Sequence, residues 1–224
     1  MTPCPGQRLL RDMSTLQHAT VLVTPLQQNC TLLWDSATLT AVVADPGGDV
    51  LRILDAIASL RLRVEHIWLT HGHIDHAGGA AALRDALAVP VYGPAEADRF
   101  LLDGLPAAGR QFGMTDARAI TPDRWLAEGD ALSIGRHAFT VRAVPGHTPG
   151  HVVMIAAADR LALVGDVLFR GSVGRTDFPY GDGAALIAGI RSVLLPLPDN
   201  VAVLCGHGPA TTIGLERRGN PYLA

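Results

Sequence analysis

The run Thr70-His71-Gly72-His73-Ile74-Asp75-His76 places four metal-capable side chains within six residues. An apolar, partly β-branched stretch, Val64 to Thr70, leads into it, and a small-residue stretch, Gly78 to Ala88, follows. That pattern predicts a strand, a turn at Gly72 and a helix. On an extended segment His71 and His73 point to one side, whereas Asp75 and His76 lie where the chain turns into the helix and aim differently. One turn of this kind can serve two metal ions, and four such groups make poor sense as unrelated surface residues. The rest of the fold then has to deliver further ligands to the same place.

Three sites in the sequence do so. His147 follows Val144-Pro145-Gly146, Asp166 follows Leu163-Val164-Gly165, and His207 follows Leu204-Cys205-Gly206. Each is an apolar strand, a glycine and then a ligand-type residue, so the strand fixes the backbone while the glycine admits close approach. His71, His73 and His147 can hold one ion and Asp75, His76 and His207 another, with the two oxygens of Asp166 able to bridge them. Imidazole and carboxylate without thiolate suit zinc, iron or manganese alike. Two ions roughly 3.5–4 Å apart can share a hydroxide and polarise a carbonyl or phosphoryl group. Metal also lowers the pKa of bound water to about 7.

Around these sites the chain alternates short β-rich runs with helical stretches. Strands are predicted at Ala19 to Val23, Thr31 to Trp34 and Thr40 to Ala44, with a stop at Asp45-Pro46-Gly47-Gly48. Asp49 reads as the N-cap of a helix whose apolar face carries Leu51, Leu54, Ile57 and Ala58. Val89 to Tyr92 is extended, and Pro94 to Arg124 reads as an excursion of broken helical pieces over the site. Further strands fall at Ala131 to Ile134, His137 to Val144, His151 to Ala157 and Leu161 to Val164. A glycine-rich loop (Gly165 to Gly183), a helix (Ala184 to Leu195) and a strand (Val201 to Cys205) complete the second half. Strands precede helices in both halves, so two β-layers flanked by helices are expected, in one domain over 18–224 after a loose segment at 1–17.

Composition narrows the function classes. Hydrophobic residues are 48% and charged residues 17%, which excludes a disordered chain. A net charge of −3 gives no general attraction to a phosphate backbone, so no nucleic-acid partner is expected. All 18 basic residues are arginine, which excludes Schiff-base or lysine acid–base chemistry. Cys4, Cys30 and Cys205 form no Cys-x-x-Cys pair and fit a reducing compartment. The first 17 residues lack a secretory pattern, and apolar runs such as Val152 to Ala158 are far too short to span a membrane. A cytoplasmic protein is expected; the sequence sets no oligomeric state.

Thr70 to His76, Pro145-Gly146-His147-Thr148-Pro149-Gly150-His151, Gly165-Asp166 and Gly206-His207-Gly208-Pro209 together resemble the ordered motifs of the metallo-β-lactamase superfamily. The resemblance runs from about Val21 to the C-terminus. It implies an α/β fold, the four-layer αββα sandwich, with a dinuclear site at the edge of the two sheets. Asp75 and Asp166 would then be the catalytic carboxylates beside a metal-bound hydroxide. An aspartate at 166 resembles the hydrolase branch, since the antibiotic-degrading enzymes usually lack it. Gln28-Asn29-Cys30, Asp45-Pro46-Gly47-Gly48, Thr121-Pro122-Asp123-Arg124-Trp125 and Gly174-Arg175-Thr176-Asp177-Phe178-Pro179 resemble the short bacterial glyoxalase II type. That type hydrolyses S-2-hydroxyacylglutathiones, notably S-lactoylglutathione, to a hydroxy acid and glutathione. The implied cofactor is a pair of divalent ions, zinc first, with iron or manganese as alternatives, and the implied partner is a small glutathione thioester.

The same resemblance leaves His151 out of the ligand set and assigns it to hydrogen bonding. Arg175 falls where glyoxalase II has a basic residue touching glutathione; a salt bridge to Asp177 is the competing role. Asp177 and Gly208-Pro209 depart from the family's tyrosine-bearing stretches. Classical glyoxalase II also carries a helical domain after the last histidine, where this chain has 17 residues, including Arg217 and Arg218 as substitutes. Thioester hydrolysis suits such a site chemically, because a thiol of pKa about 8.5 leaves without a strong general acid. The rival from another reaction class is a persulfide dioxygenase with a single iron on His71, His147 and Asp166. A lactonase would use the same metal pair.

Overall fold

The computed structural model describes residues 14–224. Most of the predicted loose segment therefore lies outside the described residues, but Leu16 and Gln17, assigned to it, open the first strand. In chain order, β1 (Leu16–Val23), β2 (Gln28–Asp35), β3 (Thr40–Ala44), β4 (Arg63–Trp68) and β5 (Val91–Tyr92) form the first sheet, lying side by side in that order. β6 (Ala131–Ile134), β7 (His137–Ala143), β8 (Val152–Ala156), β9 (Leu161–Gly165), β12 (Ala202–Cys205) and β13 (Thr211–Thr212) form the second, in the order β13-β12-β9-β8-β7-β6. β10 (Leu168–Phe169) and β11 (Ser172–Val173) make a small hairpin inside the predicted glycine-rich loop.

Side-chain alternation sorts the core into three layers. Leu33 and Val42 of the first sheet face Met154, Leu163 and Leu204 of the second, with Trp68 edge-on to Phe139 between them. Their neighbours one residue away turn outward. Leu32 and Val43 pack under α1 (Val50–Leu60), α3 (Ala80–Leu87) and α4 (Arg99–Phe112). Val153, Ile155, Ala162, Val164 and Val203 pack under α5 (Gly183–Gly189) and α6 (Ile213–Gly219). Each central strand is buried on both faces, as two helix-covered sheets require, and the layer order is αββα.

Several elements differ from the sequence-based expectation. Asp49 does precede α1, but it takes a left-handed conformation and its side chain does not cap the helix. Its carboxylate instead accepts the N–H of Thr24, 2.8 Å away, holding the β1–β2 turn. On α1 the buried residues are Ile53 and Ile57, while Leu51 is 78% exposed. The excursion after Pro94 is chiefly one 14-residue helix, α4, which runs through Gly104, Pro106 and Gly109 before Gly113 ends it. Burial of Leu102 and Leu105 against the first sheet outweighs the weak propensity of those residues. β13 and α6 were not anticipated; Thr212 caps α6 by accepting the N–H of Leu215.

The end of β2 is tied to the β6–β7 turn by a polar cluster. Asp35 accepts Ser14 Oγ–H at 2.6 Å and the N–H groups of Ala37, Thr38 and Arg136. His137, which opens β7, reaches Asp159 at 2.8 Å and Ser14 at 3.2 Å. Burial works to raise the Asp35 carboxyl, but these donors outweigh it and hold its pKa at about 2. Because the folded pKa lies below the unfolded value near 4, this stabilisation is complete above about pH 4 and fades as pH falls toward 2. Asp35→Ala is expected to cost about 2–3 kcal/mol at neutral pH. In urea denaturation the gap between wild type and variant should narrow between pH 4 and 2, and a pH-independent gap would refute the assignment.

Candidate metal centre

The functional residues all sit just past the C-terminal ends of strands, at one edge of the sandwich. Asp45 follows β3. The segment 70–76 follows β4 and enters α2 (Ile74–Ala77), which begins at Ile74. His147 follows β7, Asp166 directly follows β9, and His207 lies two residues past β12. β3 and β4 run parallel, as do β9 and β12, so their ends open on the same side. Gly206 lets this edge close: a Cβ there would stand 2.1 Å from Asp166 Oδ1 and 2.5 Å from His76 Cε1.

All seven anticipated residues meet here. His73 Nδ1 lies 3.1 Å from His71 Nε2 and 2.9 Å from His147 Nε2. Two nitrogens bound tetrahedrally to one zinc ion would be separated by about 3.3 Å. In the second group, Asp75 Oδ2 is 3.1 Å from His207 Nε2 and 3.8 Å from His76 Nε2. Asp166 stands between the groups. Its Oδ1 is 3.3 Å from His76 Nε2, and its Oδ2 is 3.5 Å from His147 Nε2 and 3.7 Å from His207 Nε2. His76 Nε2 and Asp166 Oδ1 are fully buried yet neither makes a hydrogen bond. Buried polar atoms left unsatisfied are costly, and a cation between them would satisfy both. These His and Asp groups are positioned for metal binding.

Four of the five imidazoles, those of His71, His73, His76 and His147, have their second nitrogen held. His71 Nδ1 contacts Thr70 Oγ1 at 3.0 Å, and that hydroxyl donates to Asp45 Oδ2 at 2.7 Å. His76 Nδ1 lies 2.9 Å from the same Asp45 oxygen. His147 Nδ1 donates to the Arg175 carbonyl at 2.8 Å. His73 Nε2 meets the Tyr180 hydroxyl at 2.9 Å. Such partners fix tautomer and ring orientation, leaving the other nitrogen for an ion. His151 is no member of the set: its Nε2 accepts the Asp166 N–H at 3.1 Å, as expected of a hydrogen-bonding residue.

The electrostatics favour ligation. Burial, with the neighbouring imidazoles, pushes His71 well below the usual histidine range and His73 to about 3, and burial lowers His147. These three are neutral at pH 7, with lone pairs available. Burial acts in the opposite sense on Asp166 and Asp75, but the imidazoles around them prevail and hold both carboxyls ionised. Burial also lowers His76, yet Asp166, Asp75 and Asp45 overcome it and raise its pKa well above the usual value. A cation there would take the place of that proton.

A cavity of about 630 Å³ opens over the centre. Leu101, Leu105, Ala108 and Phe112 of α4 form one wall, so the excursion does cover the site; Leu26, Phe169 and Phe178 add to the apolar lining. Arg175 is the one lysine or arginine among the described lining residues. Its Nε and Nη2 bind both oxygens of Asp177, at 2.7 and 2.8 Å, and its guanidinium lies 4.5 Å from the Phe178 ring centre. Arg217 and Arg218 do not line the cavity. Both pair with Asp199, and Arg217 also donates to the Leu197 carbonyl at 2.6 Å.

The sequence profile of the Metallo-beta-lactamase superfamily matches residues 23–207, the span that holds every one of these ligand positions. The chain belongs to the metallo-beta-lactamase superfamily. Among its relatives, the hydroxyacylglutathione hydrolase GloC of Haemophilus influenzae is 45% identical over 202 residues, which is 90% of this chain and 95% of that one. The crystal structure of TTHA1623 in a di-iron-bound form superposes with a TM-score of 0.83 at 40% identity, covering 92% of this chain and all of that one. The crystal structure of the BLEG-1 B3 metallo-beta-lactamase gives a TM-score of 0.86 at 37% identity, covering 93% and 100%. The αββα assignment stands on these superpositions as well as on the layers described above.

Sequence reasoning missed three residues that contact the candidate ligands or their loops. Asp45 read as a stop after a strand and as part of a family-like motif, with no role at the centre, but it accepts the Thr70 N–H at 2.8 Å and so supports one flank of the centre. Asp98, fully buried, accepts from Gly72 N–H, Thr148 Oγ1–H and Gly150 N–H at 2.9, 2.7 and 2.6 Å, and joins the two histidine loops. Its signal is absent from the sequence because all three donors are distant or on another loop. Tyr180 is the third. Asp45→Ala should loosen metal binding about 10- to 100-fold by freeing His76 and Thr70. Competition with a chelating indicator measures this, and wild-type affinity in the variant would show that Asp45 does not orient the ligands.

Proposed function

We propose that this chain is a dinuclear metallo-hydrolase that cleaves S-2-hydroxyacylglutathione thioesters, S-lactoylglutathione first among them. The observation that carries the dinuclear reading is Asp166, whose carboxylate stands between the two groups, with Oδ2 near both His147 and His207 and Oδ1 near His76. His71, His73 and His147 would hold one ion, Asp75, His76 and His207 the other, and Asp166 both. A single-iron persulfide dioxygenase would use His71, His147 and Asp166 and leave the close Asp75–His207 pair without work. The thioester class rests on the 45% identity to a hydroxyacylglutathione hydrolase over nearly the whole of both chains.

When bound, two divalent ions supply hydroxide at neutral pH and a Lewis acid for the thioester carbonyl. The chain's own groups do the rest. Asp75 and Asp166, held ionised, accept hydrogen bonds and orient a nucleophilic water, and they do not act as acids. The apolar wall of α4 and Phe178 excludes bulk water and strengthens the polar contacts inside. Arg175, at the cavity wall, is the group available to a glutathione carboxylate, with Asp177 as the partner it would partly give up. Zinc is the first choice of ion, and the di-iron form of a 40%-identical relative makes iron the next.

The deciding experiment is thiol release from S-lactoylglutathione, with metal content measured on the same protein. The expected result is two ions per chain, chelator-sensitive release and kcat/KM above ~10⁴ M⁻¹s⁻¹. No release from protein holding two ions would overturn the thioester reading in favour of lactones or β-lactams, and oxygen consumption by a one-iron protein would favour the dioxygenase. Asp166→Ala should lose metal and activity together. Arg175→Ala should raise KM for glutathione thioesters more than for small acyl thioesters; an equal rise would make Arg175 structural.

A further inference from the structure

The four candidate ligand imidazoles of the 70–76 and 145–151 loops differ in where their second nitrogen is held. His71 and His76 both answer to Asp45, one through Thr70 and one directly, and His147 answers to a main-chain carbonyl. All of these partners are anchored close to strand ends. His73 has none of them. Its Nε2 meets a side chain 107 residues away, the hydroxyl of Tyr180, at 2.9 Å.

We propose that Tyr180 is the positioning residue that fixes His73 as an Nδ1 ligand. The proposal rests on the metal-centre reading above and adds a role to a residue outside the ligand set. His73 Nδ1 points at His71 Nε2 and His147 Nε2, so an ion in that group is bound through Nδ1. A neutral imidazole with its Nδ1 lone pair on an ion carries its proton on Nε2. That N–H must donate, and the Tyr180 oxygen is the acceptor within reach. Without an acceptor the ring is free to rotate or to present the other nitrogen, and the geometry of the whole group loosens.

Tyr180 also makes aromatic contacts. Its ring stacks on Phe178 at 5.3 Å and 10° and meets Phe100 edge-on at 5.2 Å. Phe178 in turn lies 4.8 Å from the His73 ring, and Phe100 belongs to α4. The hydroxyl therefore stands where the 174–182 segment meets α4. The second hydrogen-bonding direction of the hydroxyl meets no other group among the described residues, and the side chain lines the cavity.

The test is metal binding, read without substrate. Tyr180→Phe keeps the ring stack and removes only the oxygen. Cobalt affinity of the looser-bound or tighter-bound ion is expected to fall about 10- to 100-fold in a chelator competition, with the other ion unchanged. The visible absorption of the cobalt-loaded variant should change in band position or intensity, while the melting temperature of the metal-free protein stays that of wild type. Phe100→Leu disturbs the stack but keeps the hydroxyl, and should leave cobalt affinity within about twofold. Equal affinity and an unaltered cobalt spectrum in Tyr180→Phe would overturn the proposal alone. An equal loss in Phe100→Leu would also overturn it, by showing that packing and not the hydroxyl matters. Failure of the wild type to bind cobalt at all would overturn the metal-centre reading beneath it.

Discussion

Buried carboxylates outside the proposed ligand set hold the loops that carry the ligands. Asp45 takes the Thr70 N–H, the Thr70 hydroxyl and His76; Asp98 takes donors from the 70–76 and 145–151 loops. Loops buried at a sheet edge cannot leave their N–H groups unpaired, and a carboxyl group with two acceptor oxygens satisfies several at once. Remove these anchors and the imidazoles have no reason to converge, because His⁺-type repulsion and desolvation both oppose the cluster. The lowered pKa values of His71, His73 and His147 are the mark of that opposition, and neutrality is how the site tolerates it.

The sandwich and the ligand positions were readable in the sequence for a local reason. A strand with both faces buried announces itself as a short apolar run, and three of the candidate ligands follow such runs within a few residues that include a glycine. His147, Asp166 and His207 therefore fell where the β7, β9 and β12 ends predicted. What was unreadable depends on distance along the chain. Asp98 serves groups 26 and 52 residues away, Tyr180 serves His73 across 107, and Asp49 trades a helix cap for a turn 25 residues upstream. The continuity of α4 through Pro106 was likewise set by the sheet beneath it, not by its own residues.

The cavity shows how a shared site acquires its own character. The floor is polar and crowded, whereas the walls are aliphatic and aromatic, and Arg175, the one guanidinium among the described lining residues, is bonded to Asp177. Recognition of a charged thiol would have to draw on Arg175 at the expense of that pair. α4, an element that contributes none of the metal-capable side chains, supplies an aliphatic wall of the cavity. The polar cluster and the apolar wall thus reside on separate pieces of the chain.

The ligands divide unevenly between the two halves of the polypeptide. His71, His73, Asp75 and His76 come from the first sheet's half, and His147, Asp166 and His207 from the second's. Neither half holds a complete set for either ion. An ion bound here would act as a rivet through the sandwich, so that metal occupancy and the docking of one sheet on the other become a single equilibrium. Such a protein carries its own assembly check: a chain with its halves misdocked would have no competent centre and no activity to misdirect.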